Sequence, residues 1–271
     1  MGEDNSAGEQ YFLWLSDIHF DPYYSTPQAY TTRYYAEANC NSDDASLVSN
    51  YGCDSSRTLV KSALEYAAKV TSDRPPAFVI ITGDSIRHGV DELFAEGDFH
   101  EGSESRGNNT AGANLEVQDA ADSPYHSLAM KEAGSILNDV VVMVREAFPD
   151  TEIIYSIGNN DVVPDYYLQL QNENSPLGSA DLIVEEAGMI GIIYNTLIDG
   201  DSNNSTTLAE EEGPKQQERT AKKAILTADD EWTFLRGGYY SRNLHDSKLT
   251  VLSLNTILYS SYFNPTPGKC G

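Results

Sequence analysis

Phe78-Val79-Ile80-Ile81-Thr82-Gly83-Asp84 is an apolar, β-branched run that stops on a glycine and a carboxylate. Two other stretches repeat the pattern. Upstream, Tyr11-Phe12-Leu13-Trp14-Leu15 leads through Ser16 into Asp17-Ile18-His19. Downstream, Ile153-Ile154-Tyr155-Ser156-Ile157 leads into Gly158-Asn159-Asn160-Asp161. Short apolar runs bounded by turn residues read as buried strands, and helical periodicity between them makes βαβ units with a parallel sheet. The carboxyl ends of such strands lie along one edge, where ligands bind. Aspartate, histidine and asparagine side chains are thereby delivered to one rim. An oxygen-rich set with an imidazole suits hard or borderline divalent cations. A single D-x-H or G-D more often makes an Asx-turn or a helix cap. The ordered set of three, each at a strand end, points instead to half of a two-metal site.

The intervening sequence supports this frame. Ser56 stands at the N-cap of a helix with apolar positions Leu59, Val60, Ala63, Leu64, Ala67 and Val70. Pro124 opens a longer helix whose inner face is Leu128, Ile136, Leu137, Val140, Val144 and Phe148, ending before Pro149. Leu249-Thr250-Val251-Leu252-Ser253-Leu254 reads as a further strand, preceded by a polar turn at Arg242-Asn243-Leu244-His245-Asp246. Asp21 to Ser56 is too long for a plain connector and reads as a functional lid. Its Tyr23, Tyr24, Tyr30, Tyr34 and Tyr35 either line a cleft or pack the loop onto the sheet. Glu96 to Ala121 and Asp201 to Gln217 are polar excursions, and no internal repeat is present.

With 271 residues, 40% of them hydrophobic, the chain can bury a substantial core. Forty-two acidic side chains against 17 Lys and Arg give a net charge of −25, which argues against nucleic-acid or anionic-lipid partners. The same field opposes a long polyanion such as polyphosphate, although screening over about 8 Å and a local metal pair offset it. No apolar run reaches the length of a transmembrane segment. The start, Met1-Gly2-Glu3-Asp4-Asn5-Ser6, does not resemble a signal peptide. It matches the myristoylation pattern only formally, since its acidic pair opposes membrane association.

The ordered set D-x-H, G-D, G-N-x-D resembles the calcineurin-like metallophosphoesterase superfamily. Leu15-Ser16-Asp17-Ile18-His19-Phe20-Asp21-Pro22, Tyr51-Gly52-Cys53-Asp54-Ser55, Arg87-His88, Gly237-Gly238-Tyr239-Tyr240-Ser241 and Leu254-Asn255-Thr256 are similar to its acid-sphingomyelinase-like branch, which includes the endopolyphosphatases. The resemblance implies an α/β fold, a metallophosphoesterase-type β-sandwich flanked by helices. Residues 1–10 would be a disordered N-terminal segment, and residues 11–271 a calcineurin-like phosphoesterase domain incomplete at its carboxy terminus. It implies two divalent ions, zinc first, with manganese, iron or cobalt as alternatives. Asp17 and His19 would hold one ion, Asp84 would bridge both, and Asn159 would hold the second. The chemistry implied is metal-assisted hydrolysis of a phosphoester or phosphoanhydride in a small molecule, a lipid or polyphosphate. His88 resembles the family histidine that contacts the phosphate and assists the leaving group.

Two departures from the pattern matter. Asn160 stands where most of the superfamily has a histidine; an amide can donate a hydrogen bond but cannot transfer a proton. Endopolyphosphatases share this G-N-N-D variant, and acid catalysis would then fall on His88. The family also completes its metal shell with three later histidines, whereas after Asp161 this sequence has only His245. His100 and His126 lack the right context. The expectation is therefore a domain cut short at its carboxy-terminal side, either part of an enzyme or a non-catalytic product. The resemblance also implies a disulfide between Cys40 and Cys53, leaving Cys270 over. Sequons at Asn108, Asn203 and Asn204 join it in favouring an exported or lysosome/vacuole-type protein whose targeting segment is absent here.

Overall fold

The computed structural model describes residues 10–24, 26, 50, 52–94, 124–166, 168, 188–198, 224–244 and 248–261. Tyr30, Tyr34, Tyr35, Cys40, Cys270, His100, His245, the sequons and both polar excursions lie outside them. The three motif-bearing runs form a parallel sheet of β1 (Leu13–Leu15), β2 (Phe78–Ile81) and β3 (Glu152–Tyr155), in the order β1-β2-β3. Leu13 stands opposite Val79, and Val79 opposite Ile153. Helices α1 (Arg57–Val70) and α2 (Pro124–Ala147) lie between successive strands in sequence, as parallel neighbours require.

Ser56 caps α1 as expected, its Oγ accepting the Leu59 N–H at 3.1 Å. Val60 and Leu64 face the core, whereas Val70, the last residue of the helix, is exposed. Replacing Ser56 with alanine orphans a first-turn donor and should lower stability by about 1 kcal/mol. Urea denaturation checks this; an unchanged midpoint would show that the cap contributes nothing.

Ile136, Leu137, Val140 and Val144 are buried along α2, as their spacing predicts. Leu128 is not, being 46% exposed; Ala129 and Ala133 carry the inner face of that turn instead. Helix α3 (Gly188–Ile198) explains why, since α2 packs closely on it. A Cβ placed on Gly134 would come within 2.5 Å of Ile192, so small residues are needed there. Helix α4 (Glu231–Gly237) then packs on α3 through Phe234 and Tyr194.

A second, antiparallel sheet pairs β4 (Tyr240–Leu244) with β5 (Leu249–Ser253). Arg242-Asn243-Leu244 therefore belongs to a strand rather than to the expected turn. Arg242 is held there by the Asp230 carboxylate at 2.7 Å, with Glu152 at 3.4 Å. The ribbon is fastened beside the end of β3. The Tyr155 N–H donates to Tyr240 Oη, and Ser253 Oγ donates to the Tyr155 carbonyl, both at 2.8 Å. The molecule is thus mixed α/β with one parallel and one antiparallel sheet among the described residues. None of its described helices is long and apolar enough to cross a membrane.

Candidate metal centre

Each strand of the parallel sheet ends on a turn, and backbone hydrogen bonds lock these turns together. His19 N–H donates to the Asp84 carbonyl and Phe20 N–H to that of Ser85, both at 2.9 Å. On the other side, Ser55 N–H donates to the His19 carbonyl at 2.8 Å and Asp21 N–H to that of Ser55 at 2.9 Å. Phe20 sits fully buried between the two segments.

The backbone along this rim is unusual. Asp17, His19 and Asp84 have φ of 53°, 42° and 52°. A positive φ is uncommon outside glycine, and such conformations cost on the order of 1–3 kcal/mol each. All three belong to the residues singled out as ligands. Their ligand atoms lie within 4.8 Å of one another. His19 Nδ1 is 3.2 Å from the Ile86 carbonyl, which fixes the tautomer by drawing the proton to Nδ1 and leaves Nε2 for a cation. Nε2 lies 3.9 Å from Asp17 Oδ1. Two carboxylates and an imidazole nitrogen form a donor set that fits a divalent cation.

The third turn closes on Asp84. Asn160 N–H donates to Asp84 Oδ1 at 2.9 Å, placing Asn159 and Asn160 in the turn that abuts the carboxylate. The approach is tight enough to require glycine twice. A Cβ on Gly158 would overlap Asp84, and one on Gly83 would overlap the Gly158 backbone. Asn160 is buried, Asn159 half-buried.

His88 lies against this group, its ring stacked on His19 with centroids 4.2 Å apart. Asp54, buried, holds it at two points: Oδ2 accepts the His88 N–H at 2.8 Å, and Oδ1 lies 2.9 Å from Nδ1. The bond to Asp54 raises the His88 pKa above its ordinary value, with burial opposing. Arg87, beside it, is wholly buried and donates to Asp21 at 3.0 Å. An open cleft of about 380 Å³ runs between these elements, lined by Asp17, His19, Cys53, Asp54, Ser55 and His88.

The sequence reading gave no role to Asp54, although the stretch that contains it was recognised. Its partner lies 34 residues away, so no local pattern exposes the pair. Asp161 likewise takes its role from partners remote in sequence. It is fully buried, and burial raises its pKa to about 6 against the hydrogen bonds that favour the charged form. Of the two lid tyrosines that are described, one ties the loop to neighbouring elements and the other braces the loop itself. Tyr23 lies under the Arg87 guanidinium, 5.8 Å from its ring centre, and Tyr24 Oη accepts the Asn50 N–H at 2.7 Å.

No family model matches the chain. It is 26% identical over 272 aligned residues to an endopolyphosphatase of Schizosaccharomyces pombe, covering 96% of this chain and 34% of that protein. The chain resembles the acid-sphingomyelinase-like branch of the calcineurin-like metallophosphoesterases. Sphingomyelinase phosphodiesterase D of Dictyostelium discoideum is 27% identical over 230 residues, 83% of this chain and 34% of that protein. A cyclic GMP-AMP phosphodiesterase of Bos taurus is 20% identical over 249 residues, 92% and 39% respectively. The chain spans about a third of the length of the curated relatives it matches.

Proposed function

We propose that this chain carries the metal centre of a metal-dependent hydrolase of phosphoester or phosphoanhydride bonds. The observation that carries the reading is the convergence of Asp17, His19 and Asp84 on positive-φ backbone at the carboxyl edge of the parallel sheet. Strain of that kind persists only where the surroundings enforce it, and it clusters at functional sites. In this reading Asp17 and His19 would hold one divalent ion, Asp84 would be shared with a second, and Asn159 would hold that second ion. Such ions, when bound, lower the pKa of water and offset charge on the phosphate oxygens.

The protein's own groups supply the rest. His88, fixed by Asp54 through Nδ1, presents Nε2 to a leaving group and, among the described residues, is the cleft imidazole left over from the metal set to give it a proton. Asn160 donates a hydrogen bond without transferring a proton. The substrate is a phosphate-containing small molecule, lipid or polyphosphate. The domain is a metallophosphoesterase-type β-sandwich over residues 11–271, and its compartment an exported or lysosome/vacuole type.

A second reading, metal binding without turnover, is favoured by the ligand set. Among the described residues His19 is the only imidazole grouped with Asp17 and Asp84. The test is calorimetric titration of the metal-stripped chain with Mn²⁺ or Zn²⁺, alongside hydrolysis of bis-p-nitrophenyl phosphate and polyphosphate. Saturable binding with metal-dependent turnover supports the first reading. Binding without turnover selects the second reading, and no saturable binding removes both.

A further inference from the structure

Asp161 is the last residue of the Gly158-Asn159-Asn160-Asp161 turn, and the proposed chemistry leaves it without a task. We propose that Asp161 is a positioning residue for the metal centre, its carboxylate welding the Asp84 turn to the Asn159 turn. The inference rests on the metal-site reading above.

The geometry is dense. Oδ2 accepts the Asp84 N–H at 3.0 Å, the Gly158 N–H at 2.8 Å and the Tyr155 hydroxyl at 2.8 Å. Oδ1 accepts the Ser85 N–H at 2.8 Å and the Ile86 N–H at 3.3 Å. Three of these five donors are consecutive amides of the loop that presents Asp84. A fourth begins the turn that presents Asn159. One buried carboxylate thus fixes two ligand-bearing turns.

It also answers how Asp84 is held at φ 52°. An unfavourable backbone conformation persists when surrounding bonds over-determine it, and the amides of Asp84, Ser85 and Ile86 all converge on this side chain. The arrangement needs an acceptor at both oxygens. An asparagine amide would turn its NH₂ toward either the Ser85 and Ile86 amides or the Asp84 and Gly158 amides. Donor would face donor in each orientation. Asp161 never reaches the cleft itself, since it is fully buried, and so acts through Asp84 and Asn159.

The experiment compares Asp161→Asn with the full chain and with Asp230→Asn. Asp230 is a matched control: it is buried, accepts the Thr227 N–H and hydroxyl at 2.8 Å, and pairs with Arg242 at 2.7 Å. Arg242 in turn reaches Glu152 at the opposite, amino-terminal end of β3. Zn²⁺ affinity by calorimetry, the visible spectrum of the Co²⁺-loaded protein and thermal stability are measured for each. Asp161→Asn should weaken Zn²⁺ binding by roughly 10- to 100-fold, the usual effect of removing an outer-shell partner, and alter the Co²⁺ spectrum. Asp230→Asn should lose thermal stability and keep wild-type affinity and spectrum.

Wild-type affinity and spectrum in Asp161→Asn, or an equal loss in Asp230→Asn, overturns the assignment. Should Asp161→Asn fail to fold, Tyr155→Phe removes a single donor from Oδ2 and is expected to weaken Zn²⁺ binding about threefold, as loss of one modest hydrogen bond implies. Unchanged affinity in that variant then overturns it. If the wild-type chain binds no Zn²⁺, the metal-site reading falls and this assignment with it; if it binds and Asp161→Asn binds equally, only the assignment falls.

Discussion

Replacing Gly83 with alanine is expected to destabilise the protein by about 3–5 kcal/mol, at the upper end of single-substitution effects. Two independent obstacles add. Gly83 has φ of 86°, a conformation an L side chain rarely adopts. A Cβ there would also overlap the nitrogen and Cα of Gly158 and the carbonyl carbon of Ile157. These are backbone atoms, so no side chain can rotate away. The Ile157 side chain closes on Gly238, where an added Cβ would stand 2.8 Å from its Cδ1. Asn255 braces that glycine turn by donating to the Gly237 carbonyl at 3.1 Å. Relief therefore requires the two ligand-bearing turns to separate. Since domains are stable by only about 5–15 kcal/mol, much of the margin would disappear, and metal affinity with it. Urea denaturation of Gly83→Ala measures the loss. A decrease below about 1 kcal/mol, the typical value for an ordinary substitution, would mean that the turns part easily and that their contact does not define the site.

The strand-end residues were legible because both signals are local. An apolar run specifies a buried strand, and the polar residues that break it fall at the strand's end. Asp17, His19 and Asp84 needed only the further rule that parallel strands share a carboxyl edge. Ser56 was legible for the same reason, since a cap bonds three residues ahead. What escaped was made by tertiary placement. Asp161 binds amides 75 to 77 residues away, and Asp54 binds His88 across 34. Neither leaves a periodic trace, although an aspartate three residues beyond a turn glycine is a familiar local acceptor and bonds Gly158 in that way here. Strand β4 was misread because its ribbon is half exposed. Ser241 and Asn243 face outward, and Arg242 is neutralised by partners remote in sequence, so the stretch has the composition of a turn. Leu128 was misplaced because periodicity assigns a face by hydrophobicity, whereas the close approach of α3 selects for small side chains.

Asp84→Asn is expected to lower hydrolysis by about a thousandfold while leaving the fold intact, and the separation of these two effects gives the substitution its value. Asparagine has nearly the shape of aspartate and retains an acceptor, so the bond from Asn160 N–H to Oδ1 can survive. The backbone bonds that seat the turn do not involve the side chain: His19 N–H still reaches the residue-84 carbonyl, and Asp161 still holds the residue-84 amide. Fold and site are therefore decoupled at this position, unlike at Gly83. The change removes one negative charge and converts one oxygen into an NH₂ that cannot ligate a cation. In the proposed centre Asp84 would be held in common by two ions, and the substitution would weaken the hold on both. Metal-assisted charge stabilisation amounts to several kcal/mol, and a thousandfold corresponds to roughly 4 kcal/mol. Turnover of bis-p-nitrophenyl phosphate, Zn²⁺ affinity and the thermal midpoint are to be measured on one preparation. Lost turnover and weakened affinity at an unchanged midpoint are expected. Turnover and affinity both at wild-type levels would show that Asp84 holds no ion, and that the convergence of Asp17, His19 and Asp84 is a device of the turns alone.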